Sequence, residues 1–220
     1  HTRMVLIITA FLLIGGSLFV YLAEYSNALG QLPDHEKINA AIFMSVNSRT
    51  AGYTSIDNAS MLSVTKTFIS ILMFIGGASG STAGGIKVNT LGIMIIAIIS
   101  VIKSNNETVV GKKRIPNNVV LKAFSVTMLA AALVSIVTMS INLMQPEFSL
   151  IDTLFEATSG FATVGLSSGV SPLLNAPGKL LIIISMFVGR VGPISFALTF
   201  SLFKKENSGV VYPDGKFIVG

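Results

Sequence analysis

The sequence predicts an all-α membrane protein made of two tandem units, each with a helix, a short re-entrant helix, an extended glycine-bearing loop and a second helix. Three observations support this fold class. The 220 residues have a mean hydropathy of +0.76 and only 11% charged side chains. Several apolar runs reach the roughly 20 residues that an α-helix needs to cross a bilayer. A glycine-bearing motif also recurs about half a chain length after its first occurrence.

The repeat is centred on two short strings, NSRTAGYTS and GFATVGLSS, which we call the first and second pore loops. Aligning Thr50 with Thr163 also aligns Gly52 with Gly165, and the similarity continues without a gap over residues 38–76 of the first unit. Such a repeat has to be recognised before the fold is assigned. Small residues let a backbone run extended in a narrow space, where its carbonyl oxygens can replace the water around a cation.

The first unit opens with an apolar run, Met4 to Tyr25, that predicts a crossing helix. Gly15 and Gly16 near its centre are small residues of the kind that let helices pack closely in a bilayer. A second helix is predicted over residues 36–46, but about three turns are too short to span. This segment therefore lies on the surface, or dips into the membrane and returns through the first pore loop.

The next apolar run, residues 61–102, is long enough for two crossings but is interrupted by GGASGSTAGG at residues 76–85. Five glycines in ten residues oppose a continuous helix, because each glycine costs ~1 kcal/mol relative to alanine in a helix interior. We therefore predict a helix that is broken in mid-membrane. The corresponding segment of the second unit, GRVGP at residues 189–193, predicts a proline kink instead.

The second unit repeats the order of the first. Val119 to Met144 predicts an outward crossing, and Lys179 to Phe203 predicts the last one. Between them, Ser149 followed by Asp152 has the form of a capping box, which predicts a short helix that ends at Ser159. The C-terminal end of this helix carries partial negative charge and would point toward a cation beside the second pore loop.

The charge distribution predicts the orientation. The loop 103–122 and the C-terminal residues are basic, and the positive-inside rule places both in the cytoplasm together with the N-terminus. The linkers 24–37 and 145–152 are acidic, and on the outside they would concentrate cations near an entrance. The basic loop serves topology alone or also a protein contact. The predicted divisions are a pore unit at 1–113, a second pore unit at 114–206 and a C-terminal tail at 207–220.

With its two pore-loop units, the whole chain resembles the Trk/Ktr/HKT potassium transporter superfamily and is most similar to the C-terminal half of a Ktr B-type membrane subunit. The resemblance implies four such units in one polypeptide around a pseudo-fourfold axis, like a potassium channel made from one chain. Two units form half of that pore. The N-terminal half of the same subunit is therefore an expected partner.

The resemblance implies a selectivity filter whose backbone carbonyls bind K⁺, with one glycine from each pore loop, Gly52 and Gly165. Serine in place of such a glycine is associated in the family with sodium permeation, so two glycines imply a preference for potassium. Na⁺ is a further expected ion, in a coupling or activating role. The implied ion-binding residues are Thr50, Ala51, Gly52, Tyr53, Thr163, Val164, Gly165 and Leu166.

The resemblance also implies that the glycine-rich run is an intramembrane gate just inside the filter. Arg190 matches the family's pore-facing arginine, which acts as an electrostatic barrier and as a partner for carbonyls of the gate. A charge at the membrane centre costs ~2.5 to 3.5 kcal/mol on insertion scales and is by default a candidate for function. The implied gate residues are Gly76, Gly77, Ser79, Gly80, Ser81, Thr82, Gly84, Gly85 and Arg190.

Structural alternatives exist for the charged and glycine-rich positions. The glycine-rich run can be a buried kink without a gating role. Arg190 can form an ion pair with Glu156, an acid that the second re-entrant helix carries into the membrane. We interpret Arg49 and Lys66 as interfacial side chains.

The family resemblance further implies a homodimer in the bacterial cell membrane, crossed several times by each chain. A cytosolic nucleotide-binding regulatory ring is the expected protein partner. The loop 103–122 and the C-terminal tail are the surfaces available for that contact.

Two other classes of function are alternatives. A secondary transporter with alternating access also uses repeats and broken helices, although two crossings and a hairpin in each unit give both units the same orientation. The string GASG resembles the GxSG form of an intramembrane serine protease, in which Ser79 would need a histidine base. The two histidines, His1 and His35, lie outside the predicted crossings. We therefore predict that the chain is not an enzyme.

Overall fold

The computed structural model describes residues 2–104, 107–110 and 113–192. Within these ranges the chain forms seven α-helices, one 3₁₀ turn and a small hairpin. The helices are α1 (Thr2–Glu24), α2 (Asp34–Asn47), α3 (Ser63–Phe74), α4 (Val88–Ile102), α5 (Asn117–Met144), α6 (Leu150–Ala162) and α7 (Ala176–Val191), and the strands are β1 (Val109–Val110) and β2 (Lys113–Arg114).

The helices confirm the all-α fold class. Among the described residues, α1 and α5 are each long and apolar enough to cross a membrane, and α3 and α4 are shorter apolar helices. The hairpin of β1 and β2 lies in the basic loop and was not predicted. Its register pairs Val109 with Arg114, and an ion pair of 2.9 Å joins Arg114 to Glu107.

Close packing of α1 on the rest of the first unit depends on Gly16. A Cβ atom at Gly16 would lie 2.4 Å from Ser45 Oγ on α2 and 2.9 Å from Leu72 Cδ1 on α3. Ser45 Oγ donates to the Leu13 carbonyl at 2.9 Å, which ties α2 to α1. A Cβ at Gly15 would meet none of the described residues within 4 Å. Among the described residues, the predicted close packing is therefore found at Gly16 and not at Gly15.

The predicted break in the third apolar run is present. Residues 75–87, which we call the glycine-rich loop, separate α3 from α4 and are not helical. Ile75 and Ile86 form a parallel β-bridge at the neck of this loop. The Ile86 N–H donates to the Phe74 carbonyl at 3.0 Å, and the Val88 N–H donates to the Gly77 carbonyl at 3.1 Å. Backbone hydrogen bonds therefore close the neck.

In the second unit, α6 begins where the capping box predicts. Ser149 Oγ accepts a hydrogen bond from the Asp152 N–H at 3.2 Å. The last helix, α7, ends at Val191, and Gly192 follows it with φ of 97°. The rest of the predicted last crossing, including the proline of the predicted kink, lies outside the described residues. The C-terminal tail also lies outside them.

Two hydrophobic clusters join the elements, and the first of them crosses between the units. It combines residues of α1, α2 and α3 with Phe155 of α6 and with Val164 and Leu166 of the second pore loop. Between helices in a bilayer, such contacts stabilise mainly through van der Waals packing. The second cluster packs α5, α6 and α7 around Phe161. The shared cluster holds the two pore loops in a common body.

Candidate functional site

The two pore loops lie against each other at their glycines. A Cβ atom at Gly52 would lie 3.4 Å from Gly165 Cα and only 2.4 Å from the Val164 carbonyl oxygen. A Cβ at Gly165 would lie 3.4 Å from Gly52 Cα. A side chain at residue 52 therefore cannot be accommodated without moving a carbonyl of the opposite loop.

Both pore loops have positive φ at the same two aligned positions. Each leaves its short helix through a threonine with positive φ, 78° at Thr50 and 55° at Thr163. Each then has positive φ at its glycine, 77° at Gly52 and 93° at Gly165. Residues with a Cβ rarely adopt this region, whereas glycine does so at little cost. The repeat in the sequence is thus also a repeat in backbone geometry.

The first pore loop is attached to the end of α2 by Asn47, which is buried. Its Oδ1 accepts a hydrogen bond of 2.9 Å from the Tyr53 N–H. Arg49 holds the same loop from another direction, because its Nη2 donates to the Gly76 carbonyl at 3.0 Å. Arg49, interpreted from the sequence as interfacial, thus connects the first pore loop to the glycine-rich loop through its guanidinium.

The second pore loop is attached to α6 by Glu156. This carboxylate is 3% exposed. Its Oε1 accepts from Ser167 Oγ at 2.5 Å and from the Ser168 N–H at 2.9 Å, and its Oε2 accepts from Ser171 Oγ at 2.5 Å. The corresponding position of the first unit is Phe43. The two pore loops are therefore anchored by different side-chain chemistry.

The glycine-rich loop reaches the start of the second pore loop. The Gly84 N–H donates to Thr163 Oγ1 at 3.1 Å. A Cβ at Gly84 would lie 2.6 Å from the Ala162 carbonyl oxygen, and one at Gly76 would lie 2.0 Å from the Gly84 carbonyl oxygen. Glycines at these positions permit a backbone-to-backbone approach that a larger residue would prevent.

Two cationic side chains bind carbonyls of residues 81–83 in the glycine-rich loop. Arg190 Nη1 donates to the Thr82 carbonyl. Lys87 Nζ donates to the Ser81 carbonyl at 3.2 Å and to the Ala83 carbonyl. Three successive carbonyls are thus held by two cations, one from α7 and one from the start of α4. The sequence predicted contacts with loop carbonyls for Arg190 and missed Lys87.

The alternative ion pair between Arg190 and Glu156 does not form. Each side chain has other partners, because Glu156 binds serines of the second pore loop and Arg190 binds the glycine-rich loop. Lys66 is the cation that pairs with an acid of α6, with Nζ 2.7 Å from Asp152 Oδ1. Lys66 is 7% exposed and also donates to the Ala59 carbonyl at 2.9 Å. It is therefore more buried than the interfacial interpretation predicted.

The described residues contain no group of three or more histidine, cysteine, aspartate or glutamate side chains that could hold a metal ion. A cation at the paired loops would have to use backbone carbonyls and hydroxyls as ligands. Oxygen ligands of this kind replace the hydration shell of an alkali cation in a selectivity filter. The loops therefore have donor chemistry that fits a monovalent cation.

The apolar helices, the duplicated glycine-bearing loops and the break between α3 and α4 are together features of a membrane transport protein. The chain belongs to the TrkH family: the family model described as "TrkH: Cation transport protein" matches residues 2–209. This family consists of transport proteins, which confirms that the chain is not an enzyme and removes the protease alternative. The predicted family resemblance is also confirmed.

Two curated relatives align with the whole length of the chain. Ktr system potassium uptake protein B of Bacillus subtilis (strain 168) is 38% identical over 224 residues, which are 100% of this chain and 49% of that protein. The potassium/sodium uptake protein NtpJ of Enterococcus hirae is 38% identical over 228 residues, covering 100% of this chain and 50% of that protein. The chain thus spans about half the length of these curated relatives.

A solved structure supports the fold. The potassium transporter TrkH from Vibrio parahaemolyticus matches with a TM-score of 0.71 at 20% sequence identity. The match covers 91% of this chain and 43% of that chain. Coverage of about half agrees with the predicted half-subunit.

Proposed function

We propose that the chain is part of the membrane-embedded, ion-conducting subunit of a potassium uptake system. The observation that carries this proposal is the juxtaposition of Gly52 and Gly165, each at positive φ, in the loops that follow the two short helices α2 and α6. Such loops present backbone oxygens to a dehydrated cation. The proposed filter residues are the eight predicted from the sequence, residues 50–53 and 163–166.

The preference for K⁺ is supported by the two glycines and by the relatives. One relative is named as a potassium uptake protein and another as a potassium/sodium uptake protein. A serine side chain would strain the backbone at either glycine because both have positive φ, and at Gly52 it would also meet the Val164 carbonyl of the opposite loop. Na⁺ in a coupling or activating role is part of the same proposal.

The glycine-rich loop is the proposed gate. It contacts the second pore loop through Gly84 and Thr163, so it lies beside the proposed filter. The carbonyls of residues 81–83 are held by Arg190 and Lys87 through hydrogen bonds from charged donors. Contacts of this kind are individually worth about 1.5 to 3 kcal/mol, a scale on which a gate can open and close. We therefore retain Arg190 as a gate residue.

The N-terminal half of the subunit is the proposed occupant of two faces that the repeat leaves uncovered. Leu166 of the second pore loop is 2% exposed because it packs on the first unit, whereas its counterpart Tyr53 is 71% exposed. On the short helices, Phe155 is 0% exposed and its counterpart Ile42 is 46% exposed. A further unit that packs on the first unit as the second unit does would cover Tyr53 and Ile42.

The last helix, α7, exposes the second face that a further unit would cover. Met73 on α3 is fully buried in the core that joins the two units, and its counterpart on α7 is Met186, which is 44% exposed. The chain spans about half the length of its relatives. Two further units would therefore complete a ring of four and cover both open faces.

Location and assembly follow from the same proposal. The subunit crosses the cell membrane several times, with its basic loop 103–122 and its C-terminus in the cytoplasm. The pore units 1–113 and 114–206 and the tail 207–220 are its proposed divisions. A homodimer and a cytosolic nucleotide-binding regulatory ring are the proposed partners, and the surface hairpin of β1 and β2 offers one contact site.

The decisive experiment is potassium uptake by a bacterial strain that lacks its own potassium uptake systems and expresses the complete subunit. Growth at low K⁺ and uptake of ⁸⁶Rb⁺ with saturable kinetics are the expected results. A subunit that reaches the membrane and conducts neither ion contradicts the proposal. Comparison with an empty vector and with a Gly52→Ser variant separates filter-dependent flux from leakage.

A further inference from the structure

Glu156 is a buried carboxylate that accepts four hydrogen bonds from residues 167–171. Beside the contacts described above, its Oε1 also accepts from Ser168 Oγ at 3.3 Å. An ionised carboxylate only accepts hydrogen bonds and offers about four lone-pair sites. The donors are Ser167, Ser168 through both its N–H and its hydroxyl, and Ser171, so this acceptor capacity is filled from one five-residue segment.

We infer that Glu156 is a positioning residue that fixes the outer end of the second pore loop and thereby sets the ion selectivity of the filter. The inference rests on the proposed function. Residues 167–171 follow directly after the proposed filter residues 163–166, so the position of this segment determines the position of the filter backbone. Glu156 acts through the serines and does not itself have to touch the ion.

The anchored segment is connected on its other side to the first unit. The Ser167 carbonyl accepts a hydrogen bond of 3.1 Å from Asn58 Nδ2. Ser167 Oγ also accepts from the Gly169 N–H at 3.0 Å. The segment is thus held between α6 and the loop that follows the first filter, and Glu156 provides the charged part of this restraint.

The chemistry of the restraint is strong because it is charge-assisted. Hydrogen bonds to an ionised acceptor are shorter and roughly twice as strong as neutral ones, which agrees with the distances of 2.5 Å from Ser167 Oγ and Ser171 Oγ. A filter held this firmly resists contraction around a smaller ion. Loosening the segment should therefore admit Na⁺ more readily than the intact loop does.

The first unit provides an internal contrast. Phe43 occupies the position of Glu156 and has no acceptor, and the first pore loop is held by the amide of Asn47 and by Arg49 instead of a carboxylate. The restraint on the second loop is therefore not a general requirement for ending a short pore helix. The second pore loop therefore provides the larger share of the discrimination between K⁺ and Na⁺.

The test is the ratio of K⁺ to Na⁺ uptake by the complete subunit with Glu156→Gln, which keeps the shape but replaces an acceptor oxygen with a donor. We expect this ratio to fall about tenfold, the change that corresponds to one lost charge-assisted hydrogen bond. The matched control is Asp152→Asn, which makes the same charge change on the same helix at a residue that pairs with Lys66. That control should lose stability and keep its selectivity.

Each outcome has a defined meaning. A wild-type subunit without potassium uptake contradicts the proposed function itself. Selective wild-type uptake with an unchanged ratio in Glu156→Gln overturns only the inference about Glu156. If Glu156→Gln fails to reach the membrane, the double variant Ser167→Ala and Ser171→Ala decides, because it removes two donors and leaves the carboxylate. A lower ratio in that variant supports the inference, and an unchanged ratio overturns it.

Discussion

Lys66 Nζ lies 2.7 Å from Asp152 Oδ1 and joins the two pore units across the interface between α3 and α6. The lysine side chain is 9% exposed and the aspartate side chain is 25% exposed. Removal of one partner of a buried pair leaves an uncompensated charge, which costs more when the remaining group is the more buried one. Removal of Asp152 should therefore lower the stability of the protein more than removal of Lys66 does.

We expect Asp152→Ala to destabilise the protein more than Lys66→Met does. The aspartate variant leaves a buried ammonium without its partner, at a cost of about 3 kcal/mol or more, whereas Lys66→Met leaves a carboxylate with access to water. Thermal unfolding of the detergent-solubilised subunit measures both effects. Glu147→Ala, at an exposed acid of the same outer linker, serves as the control. Equal losses in the two variants would contradict the asymmetry.

The two filter glycines are not equally tolerant of a side chain. Both have positive φ, but a Cβ would meet a carbonyl oxygen at 2.4 Å only at Gly52, and the nearest contact at Gly165 is 3.4 Å. We expect Gly165→Ser to lower the preference for K⁺ over Na⁺ about tenfold and to keep measurable uptake. Gly52→Ser should reduce uptake of both ions. Competition of Na⁺ with ⁸⁶Rb⁺ in the same strain measures the difference, and identical behaviour of the two variants would contradict it.

Arg190 should restrain opening of the glycine-rich loop. Arg190→Gln removes the charge that binds the Thr82 carbonyl, and a lost hydrogen bond to a charged group corresponds to a tenfold or larger shift in a two-state equilibrium. We expect the maximal rate of K⁺ uptake to rise by about tenfold when the closed loop limits flux. Arg3→Gln makes the same charge change at the exposed start of α1 and should leave the rate unchanged.

A shortened loop provides the second measurement. Deletion of residues 78–83 removes the segment that Lys87 and Arg190 bind and keeps Gly84, which donates to Thr163 in the second pore loop. Uptake faster than in the wild type supports obstruction by this segment. Normal or slower uptake by a correctly inserted deletion variant would favour a packing role for the loop.

Two adjacent glycines of α1 form a matched pair for testing helix packing. Gly16→Ala would place its Cβ 2.4 Å from Ser45 Oγ, whereas a Cβ at Gly15 would enter open space. We expect Gly16→Ala to cost about 1 to 3 kcal/mol through overpacking. Gly15→Ala should be neutral, or stabilising by up to ~1 kcal/mol through its better helix propensity. Thermal unfolding of the two variants measures the contrast, and a similar loss in both would contradict it.

The sequence predicted the order of the elements because long apolar runs and a gapless repeat are strong signals. The helix interruption at residues 76–85 and the N-cap at Ser149 were also correctly predicted, since glycine content and capping chemistry are local properties. The predicted helix over 36–46 was slightly short, because α2 extends from Asp34 to Asn47. Boundaries of this kind depend on tertiary contacts at the helix ends.

The side-chain partners of the site were harder to predict. For Arg190 the predicted partners were carbonyls of the glycine-rich run, and an ion pair with Glu156 was the alternative. The structure gives each a different partner, because hydroxyl groups of the second pore loop and carbonyls of the glycine-rich loop satisfy them locally. The insertion cost that singled out Arg190 applies equally to Glu156, and the serines at 167, 168 and 171 were the available signal for its role.

If the glycine-rich loop is the gate proposed above, the bridge between Ile75 and Ile86 limits which part of the loop can move. Because the two ends of the segment are clamped together by main-chain bonds, its tip can swing while α3 and α4 stay in place. The energy needed for opening is then confined to a few contacts at the tip, and the surrounding bilayer has no rearranging helices to accommodate.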